Sequence, residues 1–360
     1  VSVPLTVRDK KGALVSGLAP ESLVLQVDRK PLPIRSLAHD NETPLTVGLV
    51  VDASMGQRDA LEDERTAARA FFDDLLNASS RGGRDQAFVV QFARQADLLQ
   101  DVTASKPRID AAIQQLQTVA GSKGGASDST SGVDPGNGRS SGERGGNTLY
   151  DAVFLSSDEV LARHPGRKAI VLLSDGDDRG SKESVTSAIE AAQRAGVVLY
   201  AIYFKGRQDR GSFPRAQIGQ DDGGYPGGGY PGGGYPGGGY PGGGYPGGGY
   251  PGGGYPGGGY PGDSRGPGGS SSNPPQPNGR KVLEHMAKET GGRIFDLNRK
   301  GALTGIYTQI AEELRAQYRL TFAPDKPALA EGFHTIDLTL SLPNAKDYAI
   351  QTPEGYYPSE

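Results

Sequence analysis

The sequence contains no cysteine among its 360 residues. Disulfide frameworks, thiolate zinc sites and cysteine nucleophiles are therefore excluded. Lysine and arginine are scattered, and the formal net charge is -4. This pattern excludes polyanion binding as the main role, so we expect no nucleic-acid partner. The longest apolar runs, 47–51 and 197–204, are too short to span a bilayer, and no transmembrane segment is expected.

Sequence signals of catalysis are also missing. Neither a Gly-x-Ser-x-Gly elbow nor a Walker loop occurs. The hydroxyl of Ser54 has no neighbouring residue that would activate it as a nucleophile. The four histidines lie in different segments, at His39, His164, His285 and His334. We therefore expect a protein that is not an enzyme.

Glycine and proline are abundant, at 56 and 26 residues, and they are concentrated in two segments. Residues 121–147 are rich in glycine and serine, and a predicted insertion over 207–280 contains repeated Tyr-Pro-Gly units. A repeat without aliphatic residues cannot offset the entropy of ordering, so we expect disordered loops. The repeat tyrosines are candidates for self-association, and the alternative is a repeat tolerated on the surface. They are Tyr225, Tyr230, Tyr235, Tyr240, Tyr245, Tyr250, Tyr255 and Tyr260.

The remaining sequence predicts an α/β fold. Over residues 44–315 strands alternate with amphipathic helices, among them helices predicted over 149–162 and over 185–195. This alternation is typical of a doubly wound, mainly parallel sheet of Rossmann-like type. Residues 1–43 and 316–360 instead alternate apolar and polar residues, as half-buried antiparallel strands do. We expect these two ends to form one split β-sandwich into which the α/β domain is inserted. Two separate small β-domains would each have too little core.

Polar residues follow the apolar strands of the α/β domain. Asp52 and Ser54 end one strand, Asp175 ends another, and Thr148 stands just before a helix. Parallel strands present their carboxyl ends at one edge of the sheet, so these residues should converge there. An oxygen-only set suits Mg²⁺ or Mn²⁺ with waters completing the octahedron. An ordinary Asp/Ser turn is the alternative for residues 52–54.

These residues resemble the metal-ion-dependent adhesion site of a von Willebrand factor type A domain. Asp52 and Ser54 match the first and third positions of its Asp-x-Ser-x-Ser motif, and Thr148 and Asp175 match its distant Thr and Asp. Gly56 stands where the second serine would be, so one hydroxyl ligand is missing. The flanking strands are similar to those of A-domain-related proteins abundant in Acidobacteria, which are generally exported.

The stretch that begins at Asp175 also resembles the start of a calcium loop. Position twelve of such a loop would be Thr186 rather than Glu, and the run follows a buried strand, so an EF-hand is not expected. Asp177 and Asp178 are interpreted as a solvated turn that could support the ligands from outside the site.

Two functions follow from this interpretation. The first is an exported adhesion module that uses the metal to bind an exposed Asp or Glu of a partner protein. The second is a structural subunit that assembles into a homo-oligomer or filament and has a degenerate metal site. The chain opens at Val1 without a methionine, which is compatible with a removed signal peptide. The expected location is therefore secreted, periplasmic or on the cell surface.

Overall fold

The N-terminal segment forms short strands whose apolar side chains alternate inward. A computed structural model of the chain describes residues 1–40, 42–54, 61–77, 84–117, 147–205, 278–298, 301–324 and 332–358. The first strands are β1 (Ser2–Asp9), β2 (Leu23–Val27), β3 (Lys30–Leu32) and β4 (Ile34–His39). Asp28 and Arg29 join β2 to β3 with positive φ angles of 51° and 64°. This is the backbone that a two-residue hairpin turn requires.

The middle of the chain alternates strands and helices. Its first half contains β5 (Leu45–Asp52), α1 (Leu61–Leu75), β6 (Gln86–Phe92), β7 (Ala96–Thr103), α2 (Lys106–Gln115) and α3 (Leu149–Phe154). Its second half contains β8 (Arg167–Ser174), α4 (Val185–Ala195), β9 (Val197–Tyr203), α5 (Gly279–Glu289), β10 (Ile294–Asp296) and α6 (Ala302–Arg315). The strands form one six-stranded sheet in the order β10-β9-β8-β5-β6-β7. Only β7 is antiparallel to its neighbour in this sheet, which confirms the predicted mainly parallel sheet.

Both faces of this sheet are covered by helices. In β5, Val47, Leu49 and Val51 pack in one cluster with residues of α1, α2 and α6. Val50 packs on the other face with residues of α3, α4 and α5. This two-sided burial explains the continuous apolar sequence of β5. Gly48 leaves room for the ring of Phe88, whose Cζ would lie 2.1 Å from an added Cβ.

The C-terminal segment returns to the first strands. It forms β11 (Tyr318–Phe322), β12 (His334–Leu340), β13 (Tyr348–Gln351) and β14 (Gly355–Tyr356). Two four-stranded sheets result, ordered β13-β1-β11-β4 and β14-β12-β2-β3. Their inward side chains share one apolar cluster. Strands from the two chain ends therefore pair with each other as expected, and the face-to-face sandwich stays a prediction.

Buried polar contacts join the elements around α6. Glu313, 1% exposed, forms ion pairs with Arg8 of β1 and with Arg293. On the same helix the buried hydroxyl of Tyr307 donates a hydrogen bond to the Glu64 carboxylate of α1. Charged groups stay buried only where they are paired or neutral, so these contacts constrain where α6 can lie.

Some boundaries differ from the predicted ones. The helix predicted over 149–162 leaves α-geometry after Phe154 and continues as a π-helical turn, Leu155–Val160, and a 3-10 turn, Leu161–Arg163. The strands β3 and β4 were not predicted, since Pro31 and Pro33 interrupt their pattern. Residues 278–280, assigned to the end of the insertion, instead cap and begin α5, where the Asn278 side chain accepts a hydrogen bond from the Arg280 amide at 3.1 Å.

All described residues belong to one unit, which consists of Val1–Gln208 and Gln276–Glu360. A second unit, Asp209–Pro275, contains the repeat tyrosines Tyr225 to Tyr260 and lies outside the described residues. Gly56 and almost all of the predicted loop 121–147 also lie outside them. In the described part of the chain, no helix has the length and apolar character needed to cross a membrane.

Candidate metal site

Two carboxylates stand at the ends of neighbouring central strands. Strands β5 and β8 pair in parallel, with Val51 opposite Leu173. Asp52 is the last residue of β5, and Asp175 directly follows β8. Both strands therefore deliver a carboxylate to the same edge of the sheet, as the sequence predicted.

Asp52 is fully buried, and three hydrogen bonds orient its carboxylate. The backbone amide of Ser54 donates to Oδ1 at 2.9 Å. The side-chain amide of Asn147 donates to Oδ2 at 3.0 Å, and the hydroxyl of Ser174 donates to the same oxygen at 3.3 Å. These donors hold one orientation of the carboxylate without neutralising its charge.

The electrostatics of the site are unfavourable for two bare carboxylates. Burial and, to a smaller extent, the nearby charge of Asp175 raise the pKa of Asp52 to about 6, although the hydrogen bonds from Ser54 and Asn147 lower it. Burial also raises the pKa of Asp175, although the Asp177 amide donates to its Oδ1 at 3.0 Å. A cation between the two carboxylates would remove this cost.

Thr148 and Asn147 enter the site from the segment before α3. The Thr148 amide and hydroxyl both donate to the carbonyl oxygen of Ala93, at 2.9 Å and 3.2 Å. This contact fixes the start of α3 against the end of β6. Asn147 is 7% exposed, and its Oδ1 has no hydrogen-bond partner among the residues that the structure describes.

Asp177 and Asp178 form the turn that was predicted to support the site. The carboxylate of Asp177 pairs with Arg179 at 2.7 Å, while its amide supports Asp175. Asp178 accepts hydrogen bonds from the Ser181 hydroxyl at 2.5 Å and from the Tyr150 amide at 3.3 Å. The turn thus positions Asp175 and the start of α3.

The loop that carries Asp175 also contacts the start of α5. Gly176 has a positive φ of 74°, and a Cβ there would lie 2.2 Å from the carbonyl oxygen of Gly279. A Cβ on Gly279 would lie equally close to the carbonyl oxygen of Asp175. Asn147 is the last residue of the predicted loop 121–147, and Gly279 lies at the C-terminal end of the predicted insertion 207–280. The described ends of both segments therefore lie beside the site.

The donors available for a metal are all oxygen atoms. They are the carboxylates of Asp52 and Asp175, the half-buried hydroxyl of Ser54 and the amide oxygen of Asn147. Within the described ranges no group of three or more His, Asp or Glu residues could hold a metal. Two carboxylates with neutral oxygens and waters nevertheless suit Mg²⁺ or Mn²⁺. The buried, unpartnered oxygen of Asn147 also fits such an ion.

Two of these site residues were not predicted from the sequence. Asn147 and Ser174 each directly precede a predicted ligand, Thr148 and Asp175. Their position next to a predicted ligand was the only sequence signal that could have identified them. Their hydrogen bonds to Asp52 form only because β5, the end of β8 and the residues before α3 meet in the fold. The ligand roles of Asp52, Ser54, Thr148 and Asp175 stay predictions.

No protein-family model and no curated protein matches the sequence. Among solved structures, the chain is similar to proximal thread matrix protein 1 from the mussel byssus, with 20% identity, 48% of this chain and 39% of that chain covered, and a TM-score of 0.35. It is similar to the vWF domain of a type V pili tip protein from Porphyromonas gingivalis, with 16% identity, 38% of each chain covered and a TM-score of 0.28.

An aerotolerance-related membrane protein from Bacteroides fragilis is 12% identical, with 75% of this chain and 98% of that chain covered and a TM-score of 0.41. A further structure of the byssus protein has a zinc-occupied MIDAS motif. The chain spans less than half the length of the byssus and pilus proteins. Because all of these TM-scores are below 0.5, we base no functional inference on them.

Proposed function

We propose that this chain is a protein-binding module of the von Willebrand factor type A kind that depends on a divalent cation. The observation that carries the proposal is the pair Asp52 and Asp175, brought together on neighbouring strand ends. Asp52 is fully buried, and no cationic side chain of the described residues offsets its charge. Paired carboxylates of this kind are suited to a cation rather than to one another.

The residues of the chain would supply only part of the ion's coordination shell. Asp52, Ser54 and Asp175 supply oxygen ligands from two strand ends, and Thr148 is the fourth residue that the motif indicates. Bound Mg²⁺ or Mn²⁺ would supply an electrophilic centre with exchangeable water positions. An Asp or Glu of a partner protein could take such a position at the exposed edge of the sheet.

We propose that the chain binds a partner protein and catalyses no reaction. The contacts of three histidines support it, since His39 stacks on Tyr318, His285 lies 3.5 Å from Glu289, and His334 lies 2.8 Å from Asp28. None of these contacts involves a residue of the candidate site. We also propose an exported location, which is supported by the resemblance of the chain-end strands to the A-domain-related proteins of Acidobacteria.

A second candidate is a structural subunit whose metal site is degenerate. Gly56 favours it, because this residue cannot supply the hydroxyl that the motif places there. The repeat tyrosines would then contribute contacts between copies of the chain, in a homo-oligomer or filament.

Calorimetric titration of the metal-free chain with Mg²⁺ and with Mn²⁺ separates the two functions. We expect saturable binding that Asp52→Ala abolishes and Gly56→Ser strengthens. Glu190→Gln is the matched control, because it removes a carboxylate that pairs with Arg194 on α4, and it should leave the affinity within about twofold. Thermal melting checks that each variant is folded. Binding that appears only in Gly56→Ser would instead support the structural subunit.

A further inference from the structure

The segment before α3 offers two adjacent polar side chains to the site, and the structure gives them different contacts. The amide and hydroxyl of Thr148 both donate to the Ala93 carbonyl oxygen. The side chain of Asn147 instead reaches Asp52, 3.0 Å from its Oδ2. Thr148 is therefore anchored to the end of β6, and Asn147 contacts the carboxylate at the centre of the site.

The orientation of the Asn147 amide follows from its partner. An ionised carboxylate only accepts hydrogen bonds, so Nδ2 must face Asp52. The reverse orientation would place two acceptor oxygens against each other. Since Nδ2 and Oδ1 belong to one planar amide, the bond to Asp52 also holds Oδ1 close to the site.

The Oδ1 atom of Asn147 is buried and has no hydrogen-bond partner in the described part of the chain. Buried polar atoms in native proteins are nearly always satisfied by protein, water or an ion. A water would satisfy this oxygen but would leave Asp52 and Asp175 as neighbouring like charges. A divalent cation satisfies the oxygen and both carboxylates together, and amide oxygens are among the ligands of hard cations.

We propose that the Oδ1 atom of Asn147 is a direct ligand of the divalent cation, and that Thr148 is a positioning residue that holds the segment on Ala93. This inference rests on the proposed function. In the proposed set the amide oxygen of Asn147 takes the place that the motif gives to the hydroxyl of Thr148, so the number of protein ligands stays at four and the ligand missing at Gly56 is left to water. The oxygen set then consists of Asp52, Ser54, Asn147 and Asp175.

The test compares Mn²⁺ affinities of the full chain and of variants at the two adjacent positions, measured by electron paramagnetic resonance of free Mn²⁺. We expect Asn147→Ala to weaken binding at least tenfold. Thr148→Val retains the shape of the side chain without its hydroxyl, and we expect it to bind within about threefold of the native chain. Asn147→Asp keeps an oxygen at the position and should bind at least as tightly as the native chain.

The affinities distinguish the ligand role of Asn147 from the proposed metal-dependent function. Equal affinity of the native chain and Asn147→Ala would overturn the ligand role of Asn147 while the proposed function stands. Loss of binding in Thr148→Val with intact circular dichroism would overturn the assignment of Thr148 as a positioning residue only, because its hydroxyl would then be a ligand. If Asn147→Ala does not fold, Asn147→Asp and Thr148→Val decide the question by the same affinities. Absence of Mn²⁺ binding in the native chain would overturn both the ligand role and the metal-dependent function.

Discussion

Glu64 should contribute to a dependence of the protein's stability on pH, and its replacement by glutamine should remove that contribution. The carboxyl group is fully buried between α1 and α6 and accepts a hydrogen bond from Tyr307. Its Oε2 has no hydrogen-bond partner among the described residues. Burial raises the pKa of Glu64 to about 7, and the hydrogen bond from Tyr307 opposes this only in part.

The size and sign of the effect follow from the two protonation states. In the unfolded chain the pKa of Glu64 is near 4.5. Between this value and about 7 the folded chain keeps a proton that the unfolded chain has released, so stability decreases as pH rises through this window. At about 1.4 kcal/mol for each pH unit, the full loss is about 3 kcal/mol.

Urea unfolding at pH 5 and pH 8 measures this loss. We expect the native chain to lose about 2 to 3 kcal/mol more than Glu64→Gln between these values. Other titrating groups, including Asp52, contribute equally to both proteins and cancel in the comparison. Tyr307→Phe removes the hydrogen bond that lowers the pKa of Glu64, so the loss of stability should extend to higher pH and become larger in total. Parallel stability curves for the native chain and Glu64→Gln would refute the reasoning.

Two further substitutions test a buried packing contact and a buried pair of ion pairs. Gly48→Ala would place a Cβ 2.1 Å from the Phe88 ring, and we expect a loss of about 1 to 3 kcal/mol in urea unfolding, partly relieved by Phe88→Leu. An unchanged midpoint would show that the ring moves without cost. Glu313→Gln would leave Arg8 and Arg293 without their shared partner, and thermal melting should reveal a loss of about 3 to 5 kcal/mol. A loss below about 1 kcal/mol would mean that water replaces the ion pairs.

The central layer could be predicted because its pattern is local and regular. The helix over 185–195 was predicted with its bounds, since its apolar period is clear and Gly196 follows with a left-handed φ of 68°. The strand β5 was predicted from its apolar run, which reflects helices on both faces of the sheet. Asp52 and Asp175 could be placed together because parallel strands end at one edge.

The contacts within the site could not be predicted in the same way. Asn147 is the last residue of a predicted loop, and no local pattern shows that its amide bonds to Asp52, about 95 positions away. The hydroxyl of Ser174 likewise faces Asp52 only because β5 and β8 pair in one register. The π-helical turn after Phe154 has no sequence signal comparable to a cap or a proline.

The pairing of the two chain ends has a consequence for biosynthesis. Ser2 of β1 pairs with Thr321 of β11, so the partner leaves the ribosome about 320 residues later. At about 5 to 20 residues per second, this delay is roughly 15 to 60 s. For that time Val3, Leu5 and Val7 lack the side chains that β11 and β12 contribute to their apolar cluster. A nascent chain can therefore complete its central sheet while β1 is still a target for chaperones.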